Sequence, residues 1–316
     1  MRSLPLTSLL MLGLLSPNSF AQPAPSAEVE HGAKFVVQVN MDAVRKSELG
    51  SRLLSMAKDA AAQEISSETG SEEGLDKITE ALGFDPLQEI RSLTIVGDDF
   101  EEPRPQLVLS LGKSTGNLEG MALGLPEYEA SEYGDHTIHT ANPGDERAFA
   151  AIHTDNEGMK KIVAATTISE VKTMLDQLDH SEQHPLFNVA DSNAFIHMRL
   201  LEIPTDEIGD GPQQNIAKLL RDLVITIADD NGNFELNVQL TTETQKQAQQ
   251  IQQMAQGLIA MVSFVQMDEH DEEMQKLQQI LQGLKSKRND THVHLSVQVP
   301  TDDVIQFLRE EADLPF

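Results

Sequence analysis

Strict alternation of apolar and polar residues narrows the possible folds of this chain more than any other feature. Residues 292–299 read HVHLSVQV, with Val293, Leu295, Val297 and Val299 on one side of a strand and His292 and His294 on the other, because successive strand side chains point to opposite faces. Residues 194–201 set Ala194, Ile196, Met198 and Leu200 against Phe195, His197 and Arg199, and residues 33–40 put Phe35, Val37 and Val39 on one face. A parallel sheet covered on both sides would show continuous apolar runs instead. The pattern therefore predicts mainly antiparallel sheets with helices on one face.

Two halves emerge along the chain. The first reads as strand 33–40, a helix capped by Asp42 carrying Val44, Leu49, Leu53, Leu54 and Met56, and a polar break at 66–74. A helix at 75–82 closed by Gly83, strands 92–97 and 106–112, and a short helix at 118–123 follow. Strands 137–141, 148–153 and 162–166 and a helix at 169–178 complete this half. The second half reads as strand 194–201, helix 214–220, strands 223–228 and 234–241 joined by the turn Asp230-Asn231-Gly232-Asn233, and a long Gln-rich helix at 243–265. After an acidic break come a second helix to about residue 284, strand 292–299 and helix 301–311. The order β-α-β-β-α-β is the split-βαβ, ferredoxin-like arrangement. Local echoes suggest duplication: IRSLTIVGDD from Ile90 against LRDLVITIADD from Leu220, and GDHTIHT from Gly134 against NDTHVHLSV from Asn289. The expected fold is α+β, with two related split-βαβ halves at 33–180 and 193–316 and a linker at 181–192. The second half adds a long αα-hairpin insertion, in which Ile251, Met254, Leu258, Met261 and Val265 face Met274, Leu277, Leu281 and Leu284.

Phrases such as LGFDPLQEIRSLTIVG and HLSVQVPTDDVIQFL, together with the two α+β halves, resemble those of exported bacterial proteins known only as hypothetical families. The resemblance implies an envelope location and transfers no catalytic residue. The N-terminus agrees with it. Arg2, the apolar run at 4–15 and Ser19-Phe20-Ala21 have the layout of a secretory signal peptide over residues 1–21, with cleavage after Ala21. Residues 22–32 then read as a flexible leader. The expected location is the periplasm or the extracellular medium, with no integral membrane segment after cleavage.

With 51 acidic and 23 basic residues and a formal charge of −28, the chain repels phosphate backbones and anionic lipid. No nucleic-acid partner is expected. Zero cysteines exclude thiol catalysis, thiolate metal sites and an N-terminal lipid anchor on cysteine. The lack of tryptophan removes the best stacking platform for sugars and quaternary ammonium groups. The sequence contains no G-x-S-x-G, P-loop, G-x-G-x-x-G or H-E-x-x-H.

Histidine offers the sharpest chemistry. In a split-βαβ sheet the first and fourth strands are neighbours, so His197, His292 and His294 would converge on the polar face as three nitrogen ligands for a divalent metal, leaving one coordination position open. His136, His139 and His153 would form the equivalent group of the first half. His180 and His184, and the acidic tract 268–273, are weaker metal candidates. The loop Asp229–Asn233 lacks the glycine and the final acid of a calcium loop and reads as a hairpin. The C-terminal Phe316 follows an acidic helix instead of an amphipathic strand, which argues against a membrane barrel. The function expected is non-enzymatic protein or ligand binding in the bacterial envelope, with no catalytic residue and no cofactor. The alternative is a histidine-based metal-binding or metal-dependent hydrolytic protein.

Overall fold

The computed structural model describes residues 33–56, 58, 79–80, 83–100, 104–116, 118–142, 147–155, 158–180, 194–201, 203, 212–264 and 283–311. The expected signal peptide, leader and linker, and most of the second helix of the αα-hairpin, lie outside them. The fold is α+β, with antiparallel strands and helices in two compact units. The described residues of the N-terminal unit come from 33–45 and 51–180, and those of the C-terminal unit from 46–50 and 194–311.

The chain begins with β1 (Phe35–Asn40) and α1 (Met41–Lys46), followed by helical residues 48–56; all of these belong to the N-terminal unit except 46–50, which belong to the C-terminal one. Then come α2 (Pro86–Glu89), β2 (Ile90–Gly97), β3 (Gln106–Leu111), α3 (Leu118–Ala122) and four strands: β4 (Glu129–Tyr133), β5 (His136–Ala141), β6 (Ala148–Thr154) and β7 (Lys160–Ala165). Helix α4 (Ile168–His180) closes the unit. The strand order is β1-β2-β3-β7-β6-β5-β4, and each pairing is antiparallel. Register aligns Val108, Val163, Ala151 and Ile138 in one row across β3, β7, β6 and β5. All four are at most 2% exposed. Val171, Met174, Leu175 and Leu178 recur at helical spacing on α4 and bury against that row. The helix starts with a capping box: the Glu170 amide donates to Thr167 Oγ1 at 3.3 Å and the Thr167 amide donates to Glu170 Oε2 at 3.0 Å.

The C-terminal unit runs β8 (Ala194–Leu200), α5 (Pro212–Ala217), β9 (Leu220–Asp230), β10 (Asn233–Thr242), α6 (Gln245–Phe264), β11 (Lys285–Asn289), β12 (His292–Pro300) and α7 (Thr301–Glu311). The turn between β9 and β10 has positive φ at both central residues, 52° at Asn231 and 75° at Gly232, as a two-residue hairpin requires. Leu223, Ile225, Leu236, Val238, Leu240, Val293, Leu295 and Val297 form the core face, covered by Ala248, Ile251 and Ala255 of α6 and Val304 of α7. Helix α6 also begins with a capping box, Thr244 with Gln247. The buried Asp229 carboxylate accepts from the Leu49 amide at 2.6 Å and from Thr301 Oγ1 at 2.9 Å, which fixes residues 46–50 and the start of α7 to β9.

One expectation needs correction. The ferredoxin-like order is not found: β8 pairs with β9, β9 with β10, and β12 joins β10, giving β11-β12-β10-β9-β8. The first and last strands are therefore not neighbours, because three successive strands run as a meander with no crossover to bring β12 back to β8. The structure also holds two strands without apolar alternation, β4 (EASEY) and β11 (KSKRN), and each lies at the end of its strand order. Among the described residues no helix is long and apolar enough to cross a membrane.

Candidate functional site

Helices α6 and α7 cover one face of the C-terminal sheet, and the pleat delivers polar side chains to the other. Cross-strand register arranges them in rows. One row runs His197, Thr226, Asn237, Ser296 and Lys285 from β8 to β11, and the next runs Arg199, Val224, Gln239, His294 and Lys287. On this face of a strongly acidic chain, Arg199, Lys285 and Lys287 stand against Asp222 and Glu235. Arg199 Nε donates to Asp222 Oδ2 at 3.1 Å and its Nη2 donates to the same oxygen, fixing the guanidinium beside His197. At the middle of the first row Asn237 Oδ1 is buried with no hydrogen-bond partner among the described residues.

All three expected metal ligands lie on this face, yet the strand order keeps them from meeting. Strands β9 and β10 separate His197 on β8 from His292 and His294 on β12, roughly 14 Å at the usual interstrand spacing. One ion reaches nitrogens only about 2.1 Å away. His292 and His294 do lie together, ring centroids 6.5 Å apart. Among the described residues no three His, Asp or Glu side chains are grouped to hold a metal ion. Burial lowers the pKa of His197, with Arg199 adding to the effect and Asp222 opposing it. His294 is lowered by burial, then by His292 and Lys287. Both shifts favour neutral rings at pH 7.

The tightest histidine cluster is in the N-terminal unit. His136 on β5 and His153 on β6 bring their rings to 5.5 Å, at the rim of the core row beneath α4. Asp179 in the last turn of α4 reaches both: its carboxylate is 2.9 Å from His136 Nε2 and 3.3 Å from His153 Nε2. One turn earlier Asp176 accepts from the Tyr133 hydroxyl at 2.9 Å. This bond, foremost, raises the Tyr133 pKa. Burial pushes the His153 imidazole below its ordinary pKa, Asp179 pulls the other way, and His153 Nδ1 is buried without a partner among the described residues. His139, expected in the same group, points to the opposite face. There its Nδ1 lies 2.9 Å from the Tyr128 hydroxyl, its Nε2 has no partner among the described residues, and burial lowers its pKa. The two carboxylates were missed by sequence reasoning, although Asp176 and Asp179 stand three apart on one helix face. The cluster ties a helix end to three strands through titratable groups.

Asp229–Asn233 forms the expected hairpin turn. His184, the tract 268–273 and Phe316 lie outside the described residues.

No protein-family model matches this chain, and no curated protein matches it. Among solved structures it is similar to crystal structures of the Treponema protein TP0453. Crystal form III superposes with a TM-score of 0.44 at 7% identity, covering 89% of this chain and 96% of that one. Crystal form I gives 0.40 at 9% identity over 92% and 99%, and crystal form IV gives 0.44 at 7% over 89% and 94%.

Proposed function

We propose that this chain is an exported protein of the bacterial envelope that works by binding a protein or small ligand, without catalysis, through the polar face of its C-terminal sheet. The signal-peptide layout of residues 1–21 supports export. One observation carries the choice of surface. Asn237 Oδ1 is a buried acceptor with no partner among the described residues, in the middle of a row of polar side chains that neither α6 nor α7 covers. An unmet buried acceptor costs about 1–3 kcal/mol. A ligand presenting an N–H or O–H to that oxygen would recover it, and Arg199, Lys287 and the neutral imidazoles alongside would complement an anionic or carbonyl-rich remainder. The same reading takes the two units as duplicated sequence. In support, IRSLTIVGDD and LRDLVITIADD fall on β2 and β9, the middle strand of each meander. GDHTIHT and NDTHVHLSV fall on β5 and β12, each the strand next to the outer end of its order, although β12 pairs directly with β10 whereas β6 and β7 stand between β5 and β3.

Native mass spectrometry of the mature chain, purified untagged from the envelope of its own host, tests the surface. The expected result is extra mass on the wild-type chain that is lost from Asn237→Leu. A bare chain in both, or the same extra mass in both, removes the sheet face as the binding surface.

A further inference from the structure

We propose that β4 of one copy of this chain pairs edge to edge with β11 of a second copy, giving a head-to-tail contact that can repeat. Both strands end their strand orders, and among the described residues nothing pairs with their outer edges. Each therefore presents a row of backbone N–H and C=O groups, the usual template for adding a strand. Their charges are opposite. Strand β4 reads EASEY and β11 reads KSKRN. Like edges would meet like charge, which is destabilising directly across a ladder. Only the unlike pairing is favourable.

Register sharpens the match. Antiparallel pairing of Glu129 with Arg288 also sets Ala130 opposite Lys287, Ser131 opposite Ser286 and Glu132 opposite Lys285. Both acids then face a base, and no like charges meet. The pleat agrees. In β4, Glu129, Ser131 and Tyr133 share the core face, since Ser131 aligns with the buried Ile138. In β11, Ser286 and Arg288 share the core face, aligned with Leu295 and Val293. The same register thus joins core face to core face and polar face to polar face. Glu129 already meets Arg147, in a pair whose side chains are 68% and 52% exposed. Such a pair is worth little, so Arg288 can share or replace it. Five residues a side make a small contact, and the net charge of −28 opposes it at low salt. Association is therefore weak, and is expected only at high protein concentration near 0.15 M salt, where screening is short-ranged.

Sedimentation velocity of the mature chain over a range up to about 1 mM tests this. The expected result is reversible, concentration-dependent growth in mass. Lys285→Glu/Arg288→Glu should stay monomeric, as should Glu129→Lys/Glu132→Lys. An equimolar mixture of these two variants should recover assembly, because each then offers the edge the other lacks. Circular dichroism checks that each variant keeps its fold. A wild-type chain monomeric throughout, reversed variants that assemble like wild type, or a mixture that stays monomeric would each overturn the pairing.

Discussion

The two units follow a related path and are closed in different ways. In each, three strands form a meander whose third member pairs antiparallel with the last strand before the closing helix: β3 with β7 before α4, and β10 with β12 before α7. Helix α4 is tied at its far end, by Asp176 and Asp179 to Tyr133, His136 and His153. Helix α7 is tied at its start, by a buried carboxylate on Thr301. The first tie is partly solvated and titratable, with the Asp179 side chain 42% exposed. The second is dry, with Asp229 at 7%. A dry tie holds strongly and fails outright, whereas a wet one can be adjusted by solution conditions.

Removing the dry tie gives the largest effect. Asp229→Ala leaves the Leu49 amide and the Thr301 hydroxyl unpaired in a buried place and is expected to cost about 3 kcal/mol. Urea unfolding measures the loss, and hydrogen exchange should locate it at residues 46–50 and α7 with α4 still protected. A loss below about 0.5 kcal/mol would mean that Asp229 does not close this unit.

A second test strikes the N-terminal unit alone. Across the β1–β2 ladder Gly97 lies under the Phe35 ring, so closely that an added Cβ would sit 2.1 Å from Cζ. The ring stacks on Phe100, centroids 5.6 Å apart. Gly97→Val must displace it and is expected to cost about 1–3 kcal/mol. Protection in β9, β10 and β12 should not change. Loss of protection in those strands would show that the units do not respond separately.

The legibility of the sequence follows the same physics. Strands with one buried face declared themselves: residues 292–299 alternate because Val293, Leu295, Val297 and Val299 enter the core, and β12 is found there. The edge strands β4 and β11 bury almost nothing on either face, so EASEY and KSKRN carry no apolar period to detect. Strand order was hidden for another reason. Alternation says which face a residue takes, and His197, His292 and His294 do share one. Which strands are neighbours depends on how the connections run, and a meander and a split-βαβ unit present the same alternation. The candidate site was legible as a polar face and illegible as a constellation. For Asp176 and Asp179 the helical spacing was visible in the chain, but their partners on β4, β5 and β6 come from distant sequence.

Capping boxes allow a matched comparison at a smaller scale. Thr167→Ala on α4 and Thr244→Ala on α6 each remove one side-chain acceptor from a helix start. Each should cost about 1 kcal/mol. Thermal unfolding of the two variants should give similar shifts if the caps act locally. A much larger loss at Thr167 would show that α4 closes its unit more tightly than α6 holds its own.

Acidification separates the ties most finely. His153 and His139 in one unit, and His197 and His294 in the other, all have pKa values lowered chiefly by burial. The unfolded chain therefore takes up these protons at a higher pH than the folded chain does. Their contribution to stability is fully present above the ordinary imidazole pKa of about 6.5 and declines as pH falls from there toward the lowered folded values. Asp179 opposes the decline at His153 because its carboxylate favours the charged ring, whereas His136, Lys161 and burial disfavour it and Asp155 assists Asp179. Asp179→Asn should thus steepen the loss of protection in α4 and β6 between pH 7.5 and 5.5, leaving the slope in β9 and β10 unchanged. Hydrogen exchange at the two pH values reads this directly. Equal slopes in the variant and the wild-type chain would show that Asp179 does not moderate the protonation of His153, and would leave the N-terminal tie no more sensitive to pH than the buried one.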